Sequence, residues 1–445
     1  MSPAPGSGTG GRPSVPPTLN FTSGWRSDVR IRHPSDRGEA VRILVLSNLY
    51  PPHAYGGYEM GCRDVVERWR AAGHEVLVLT STVRLPAVTG PAESEDSNRV
   101  RRQLRLYWDD HVILSPPLAT RLRMERHNRH CLDAAVADFA PDVASAWAMG
   151  AMSMGLLSRL GVLGVPVVCV LADEWPVYGP HVDAWLRPLA ARPALGRLVG
   201  AATGLATVLP PLDELGPTCF ASEAMRNKLR ELSPWSFPNS AVVPWGIDAS
   251  VFQAPAAGRA RPWRWQVLHA GRVDERKGIA TVIEALALCP PEATLEVLGR
   301  GDDAHLAALR TLASDLGVTD RVKFGECDRD ELALRYGNAD AAVFAPLWEE
   351  PFGLVPIEAM ACGTPVVGSP TGGAAEFMAD GTNCLAFAPG DSHGLAAALV
   401  RLSQDPALRA RVVRGGLETA SQYTVDRMAH DLEDWHQAAA ARRPV

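Results

Sequence analysis

Glu350 and Glu358 stand eight residues apart around Pro351-Phe352-Gly353-Leu354, and that segment has the makings of a grip on an anionic ligand. A strand ending near Ala345 passes through a loop into a helix expected to begin around Leu354, with Pro356 tolerated in its first turn, where an amide has no intrahelical partner. The free N–H groups of Phe352, Gly353 and Leu354 then point out of the helix start, where partial positive charge gathers and a phosphate can be received. Gly353 permits close approach. Glu358 lies four residues beyond Leu354 on the same helical face, so its carboxylate looks back toward the same ligand. Glu350 sits before the helix, beside its mouth.

A second cluster is Gly271-Arg272-Val273-Asp274-Glu275-Arg276-Lys277-Gly278, which follows an expected strand over 266–270 and precedes an expected helix over 279–288. Arg272 and Lys277, five residues apart across a glycine-bounded turn at a strand end, are placed to clamp a diphosphate from two sides. Arg276 reads as a solvated side chain. A third loop, residues 48–59, contains Gly56 and Gly57 after the first strand, and two glycines there let backbone amides approach a phosphate or a sugar.

These loops need strands and helices to hold them. Residues 41–47 form an apolar run of strand length, suited to a strand covered on both faces. Val65, Val66 and Trp69 recur at helical spacing, Gly73 follows as a cap, and 76–79 resume strand character. Residues 143–172 read as strand, helix and strand; further strands are expected at 167–171, 218–221 and 241–243, with Ser222 as an N-cap. Between 252 and 264 the periodicity gives way to Pro, Gly and Ala, which marks a domain boundary. Strands are then expected at 295–298, 322–324, 342–345 and 365–368, with Asp328 and Glu331 forming a capping box. The result is α/β, two doubly wound Rossmann-like domains over 41–250 and 251–424, a disordered extension over 1–40, and a last helix from 425 that crosses back to the first domain.

A chain of 445 residues is long enough for two cores, and its net charge of −6 offers no electrostatic reason to expect nucleic acid. The eight cysteines are widely scattered with no Cys-x-x-Cys pair, as expected of reduced thiols in a cytoplasmic protein. Neither a secretory signal nor an apolar run of about 18 residues is present, so no spanning helix is expected. Two arginine-rich runs, 99–105 and 121–130, are the candidates for peripheral contact with the inner face of a membrane. Within the second, His127 and His130 have no acidic or cysteine cluster beside them and read as an exposed helix face rather than metal ligands. No metal is expected. High Ala, Arg, Gly and Pro usage suits a GC-rich bacterial genome.

Set inside Pro-Phe-Gly-Leu and followed by Glu-Ala-Met-Ala-Cys-Gly-Thr-Pro-Val-Val, the glutamate pair resembles the Glu-x7-Glu signature of family 4 of the retaining glycosyltransferases, whose members have the GT-B fold. Gly-Arg-x4-Lys-Gly, the Gly-Gly loop, Ser222-Glu223-Ala224-Met225-Arg226, the segment 243–248 and the turn 372–376 extend the resemblance from Val41 to about Tyr423. The resemblance implies two Rossmann-like domains facing across a cleft, the first for the acceptor and the second for a nucleotide diphosphate-sugar. It implies that Glu358 hydrogen-bonds the ribose, Glu350 meets the transferred sugar, Arg272 and Lys277 bind the diphosphate, and the Gly56-Gly57 loop lies over it. Gly373 and Glu376 either line the donor site or serve in turn and packing. Nucleotide-sugar is then a co-substrate, with no cofactor beyond it.

One departure stands out. After the strand over 167–171 many relatives present a His followed by an acid, whereas this chain has Ala172 and Asp173; Asp173, His53 and His181 are the alternatives for the missing function. By resemblance the reaction retains the anomeric configuration through front-face attack, with the departing phosphate as proton acceptor. A nucleotide-sugar epimerase or phosphorylase, and a noncatalytic nucleotide-sugar-binding protein, are the rivals; donor turnover separates the last from an enzyme. Donor base, sugar, acceptor and oligomeric state stay open.

Overall fold

The computed structural model describes residues 40–85, 99–109, 112–254 and 262–442. The extension 1–40 lies outside them but for Ala40, as does 255–261 within the expected boundary segment.

The first sheet has seven parallel strands in the order Val100–Leu104, Glu75–Ser81, Arg42–Ser47, Val143–Ala146, Val167–Leu171, Thr218–Phe220, Ser240–Val242. Ile43 pairs with Val76 on one side and Val143 on the other. Ile43, Leu44, Val45 and Leu46 are fully buried, which is why this strand is apolar throughout instead of alternating. The second sheet has six parallel strands in the order Val322–Gly325, Thr294–Leu298, Gln266–Ala270, Ala341–Phe344, Val366–Gly368, Leu385–Ala386.

In each sheet the strand order reverses beside the domain's first strand. The reversal falls between Arg42–Ser47 and Val143–Ala146 in one domain and between Gln266–Ala270 and Ala341–Phe344 in the other. Neighbouring chains leave such a point in opposite directions and open a crevice at the carboxyl ends of the strands. The loops that emerge there are 48–56, 147–154, 271–278 and 345–353, and three of them are the loops the sequence singles out.

Helix Gly57–Ala71 buries Cys62, Val65, Val66 and Trp69. Its outer side receives the final helix, Val425–Ala440: the Trp69 indole donates to the Ala429 carbonyl at 3.0 Å, and its ring lies 4.6 Å from that of His436. Burial pushes His436 down to about 4, so the imidazole packed against Trp69 is neutral at ordinary pH. The Ile247–Thr424 bridge and an ion pair from Arg68 to both Asp248 and Asp426 lead the chain into this helix. Trp245 packs edge-on to Tyr58 and Trp147, so the segment 243–248 acts in packing.

Several local expectations change. Asp328 does accept from the Glu331 amide at 2.8 Å, but Glu331 pairs with Arg335 at 2.7 Å and the box is half formed. The run 99–105 is an edge strand with Arg102 donating to the carbonyls of Tyr50 and Pro51. In helix Leu118–Phe139, Arg121 donates to the Ala184 carbonyl and Arg129 to that of Gly204; much of both arginine runs is therefore spent on holding the fold. His130 is exposed, while His127 is half-buried with Nε2 2.8 Å from the Gln103 carbonyl. All eight cysteines are free, and only Cys327 is not buried.

The same helix carries a buried carboxylate, Glu125, which accepts from the Tyr107 hydroxyl at 2.7 Å. Burial, then the neighbouring charge of Asp183, pushes its carboxyl up to about 8. The folded value lies above the ordinary 4.5, so the native state holds a proton that the unfolded chain releases; the associated stability is present below the ordinary value and lost as pH rises through the folded one. Glu125→Gln keeps the acceptor oxygen without the charge. Its Tm is expected to match the parent's within a degree or two at about pH 5 and to exceed it by several degrees at about pH 9. Melting curves with equal differences at both pH values would remove this account.

Candidate active site

The loop 271–278 is built by its own short-range hydrogen bonds. Asp274 caps the turn Glu275–Lys277 by accepting from the Arg276 amide at 3.0 Å, and Gly278, at φ 65°, turns the chain into the next helix. The Leu347 amide donates to the Arg276 carbonyl at 2.8 Å, which ties this loop to 345–353. As a result Lys277, from the end of one strand, forms an ion pair with Glu350, from the end of its neighbour. Glu350 is buried, and its Oε1 also accepts from the Trp348 indole at 2.9 Å. Arg276 stacks over the Trp348 ring at 4.7 Å and pairs with Asp274 at 3.1 Å, so it braces the indole that holds Glu350 rather than simply facing solvent.

Gly353 caps helix Leu354–Ala361 at φ 95°. A Cβ there would meet the Ala374 side chain at 3.1 Å and Phe344 at 3.3 Å, so both conformation and space call for glycine. Among the described residues the Phe352 and Gly353 amides have no protein acceptor. The helix start thus presents donors beside Lys277 and Glu350, the pattern that receives phosphate. Gly373 lies under this loop, its amide donating to the Glu350 carbonyl at 2.8 Å; of the two roles open to it, the turn has the contacts.

One helical turn on, Glu358 is half-buried and accepts from the Tyr336 hydroxyl at 3.2 Å. Burial raises its carboxyl above the ordinary value, and the positive charge of Arg329 pulls the other way. Arg329 also pairs with Asp64 of the first domain at 2.5 Å.

The first domain meets this site at several points. A Cβ on Gly57 would lie 3.1 Å from Leu354 Cδ1, whereas Gly56 has open space. The Gly56 amide donates to Glu59 at 3.0 Å, closing the loop onto its helix. The Ser222 hydroxyl, an N-cap as expected, donates to the Pro351 carbonyl at 2.6 Å. Glu376 accepts from the Ala224 amide at 2.8 Å, and Lys228 bridges Glu174 and Glu349 at 3.0 Å each. These bonds set the start of helix Leu354–Ala361 against the second half of the first domain.

Asp173 is half-buried, accepting from the Trp175 amide at 3.1 Å and the Tyr178 hydroxyl at 3.0 Å. Its desolvated surroundings push the carboxyl up to about 6. Glu59, raised by burial, is pulled down by the charge of Arg272 and pushed up by that of Asp173; side chains of both domains share this neighbourhood. His53 is engaged with Arg84 and the Leu85 amide, and His181 is exposed. Of the three alternatives for the missing His, Asp173 has the electrostatic link to the cleft.

Lys277, Glu350, Gly353 and Glu358 therefore come together along two adjacent strand ends. Arg272 lies apart from that ion pair, with its nearest carboxylate Asp274 at 3.7 Å and a side chain 40% exposed. Tyr336, Trp348 and Tyr178 escape a reading of the sequence; each donates a hydrogen bond to a site carboxylate, a single contact that no motif marks. Among the described residues no group of three or more His, Cys, Asp or Glu is placed to hold a metal ion.

Two family models match: glycosyl transferases group 1 over residues 255–419 and glycosyl transferase 4-like domain over 56–215. A glycogen synthase of Mycobacterium tuberculosis is 31% identical over 422 residues, 91% of this chain and 94% of that protein. A D-inositol 3-phosphate glycosyltransferase of Xylanimonas cellulosilytica is 34% identical over 219 residues, 46% of this chain and 52% of that one. Among solved structures, the Anabaena protein Alr3699/HepE in complex with UDP-glucose aligns at a TM-score of 0.64 with 21% identity, covering 88% of this chain and 98% of the other. Two doubly wound parallel sheets, of seven and six strands, facing across a cleft define a glycosyltransferase of the GT-B fold. The chain belongs to the group 1 glycosyltransferases, family 4.

Proposed function

We propose that the chain transfers a hexose from a nucleotide diphosphate-sugar to an acceptor hydroxyl, with retention and without a metal ion. Residues 41–250 hold the acceptor and 251–424 the donor. The observation that carries this reading is the meeting of Lys277 with Glu350 beside the helix start capped by Gly353. Loss of a nucleoside diphosphate builds negative charge on the leaving oxygen. Lys277 spends one of its three N–H donors on Glu350 and keeps the others for the phosphates, Arg272 reaches them from the opposite end of its loop, and the Phe352, Gly353 and Leu354 amides complete a preorganised anion site. Glu358, oriented by Tyr336, accepts from the ribose. Glu350 accepts from the sugar hydroxyls while its charge offsets the positive charge that develops on the ring.

Among the described residues no second carboxylate stands beside Glu350 as a nucleophile, which favours attack by the acceptor from the face the diphosphate leaves, with the departing phosphate taking the proton. Asp173 orients the acceptor from the first domain. The solved neighbour holds UDP-glucose, which makes that donor the first to try.

The test is release of nucleoside diphosphate from UDP-, ADP-, GDP- and TDP-glucose with and without a chelator, followed by assignment of the product anomer. Glu358→Ala is expected to raise the nucleotide Kd about 10- to 100-fold, as loss of a charged hydrogen bond implies. Unchanged donor affinity in that variant would overturn the assignment. Binding without diphosphate release would favour the sensor, for which Ala172 speaks.

A further inference from the structure

Helix Pro193–Thr203 turns glycines and Val199 toward the first domain, and its leucines away from it. Its buried residue is Gly196, and Gly200 lies half-buried beside it. A Cβ on Gly196 would sit 3.2 Å from the Leu189 carbonyl, and one on Gly200 3.3 Å from the Thr207 hydroxyl. The glycines thus let this helix lie flat on the first domain. Its leucines face outward: Leu195 is 43% exposed and Leu198 70%, with Val208 just beyond at 50%. A surface helix in water ordinarily turns its apolar stripe inward, so an outward leucine face one turn long calls for an apolar partner.

Charge identifies that partner. From Ala184 to Leu212 the chain has no acidic residue and three arginines, Arg187, Arg192 and Arg197. Arg192 and Arg197 are exposed and have no ion pair among the described residues. In a symmetric dimer the same patch meets itself, which would set these arginines against one another with no acid to separate them. An anionic bilayer supplies both the apolar layer and the countercharge. No helix among the described residues is long and apolar enough to cross a membrane, so the contact is one of lying on the surface.

We propose that this helix docks the first domain on anionic lipid, Leu195 and Leu198 entering the acyl boundary while Arg192 and Arg197 meet headgroup phosphates. The inference is independent of which donor or acceptor the active site takes. It also moves the membrane contact from the arginine runs 99–105 and 121–130 to a different element.

The test is sedimentation of the full chain with phosphatidylcholine vesicles containing about 30% phosphatidylglycerol, at about 0.1 M salt, beside vesicles of phosphatidylcholine alone. The parent is expected to partition at least about tenfold better to the anionic vesicles. The double variant Leu195→Ser, Leu198→Ser is expected to lose about tenfold or more of that partitioning, with nucleotide affinity and Tm held. Arg192→Gln with Arg197→Gln should keep residual binding but lose the preference for anionic lipid. Equal partitioning of the leucine variant and the parent would overturn the proposal, as would a parent that stays in solution. A parent that sediments as a dimer which the leucine variant converts to monomer would assign the face to a second copy instead.

Discussion

Lys277→Met is expected to lower release of nucleoside diphosphate about 10²- to 10³-fold, the cost of removing one preorganised donor from a site of developing negative charge. The effect has two sources, which a second variant separates. The Lys277 and Glu350 side chains are 19% and 7% exposed, so loss of the lysine also leaves a buried carboxylate without its countercharge, which destabilises by a few kcal/mol. Adding Glu350→Gln removes that uncompensated charge. The double variant is therefore expected to regain most of the lost Tm while turnover stays low. A single variant with more than a tenth of parental turnover would show that Lys277 does not face the leaving group. Recovery of turnover in step with stability in the double variant would show that its role is structural.

Gly278→Ala is expected to be the most damaging of these single substitutions. Gly278 has φ 65°, and a Cβ would lie 2.0 Å from the Ala345 carbonyl oxygen, a backbone atom that cannot turn aside. Strain at the dihedral together with displacement of one strand end from the other puts the cost above about 3 kcal/mol. Lys277 precedes this residue and Ala345 begins the loop that carries Glu350, so the same displacement separates the ion pair. A denaturant midpoint clearly below the parent's and loss of detectable turnover are the expected results. Parental stability and turnover would mean that the two loops are not locked together here.

Much of the fold is legible because parallel sheets write themselves plainly. Buried strands such as Arg42–Ser47 and Ala341–Phe344 are apolar runs bounded by turn residues, and the helices between them show a regular stripe. The strand Val100–Leu104 escapes notice because it lies at the sheet edge and carries Val-Arg-Arg-Gln-Leu; an edge strand covered only in part tolerates charge, and its arginines read as a solvated run. The same ambiguity affects 121–130, where Arg121 and Arg129 bond to carbonyls of distant segments.

The site divides along similar lines. Glu350, Gly353 and Glu358 lie within one loop and one helical turn, where local geometry is set by the chain itself, and Lys277 belongs to a turn that Asp274 and Gly278 define. Their order and spacing are enough to mark them. That Lys277 meets Glu350 across two strand ends, that Tyr336 holds Glu358, and that Arg329 reaches Asp64 in the other domain were decided by tertiary structure alone. Contacts between residues 22 to 265 positions apart leave no periodic trace, because each depends on where two independently formed elements come to rest. The outward leucines of helix Pro193–Thr203 make the same point: a helical stripe can be read from sequence, but which side of it faces water is settled only when the glycines find the body of the domain.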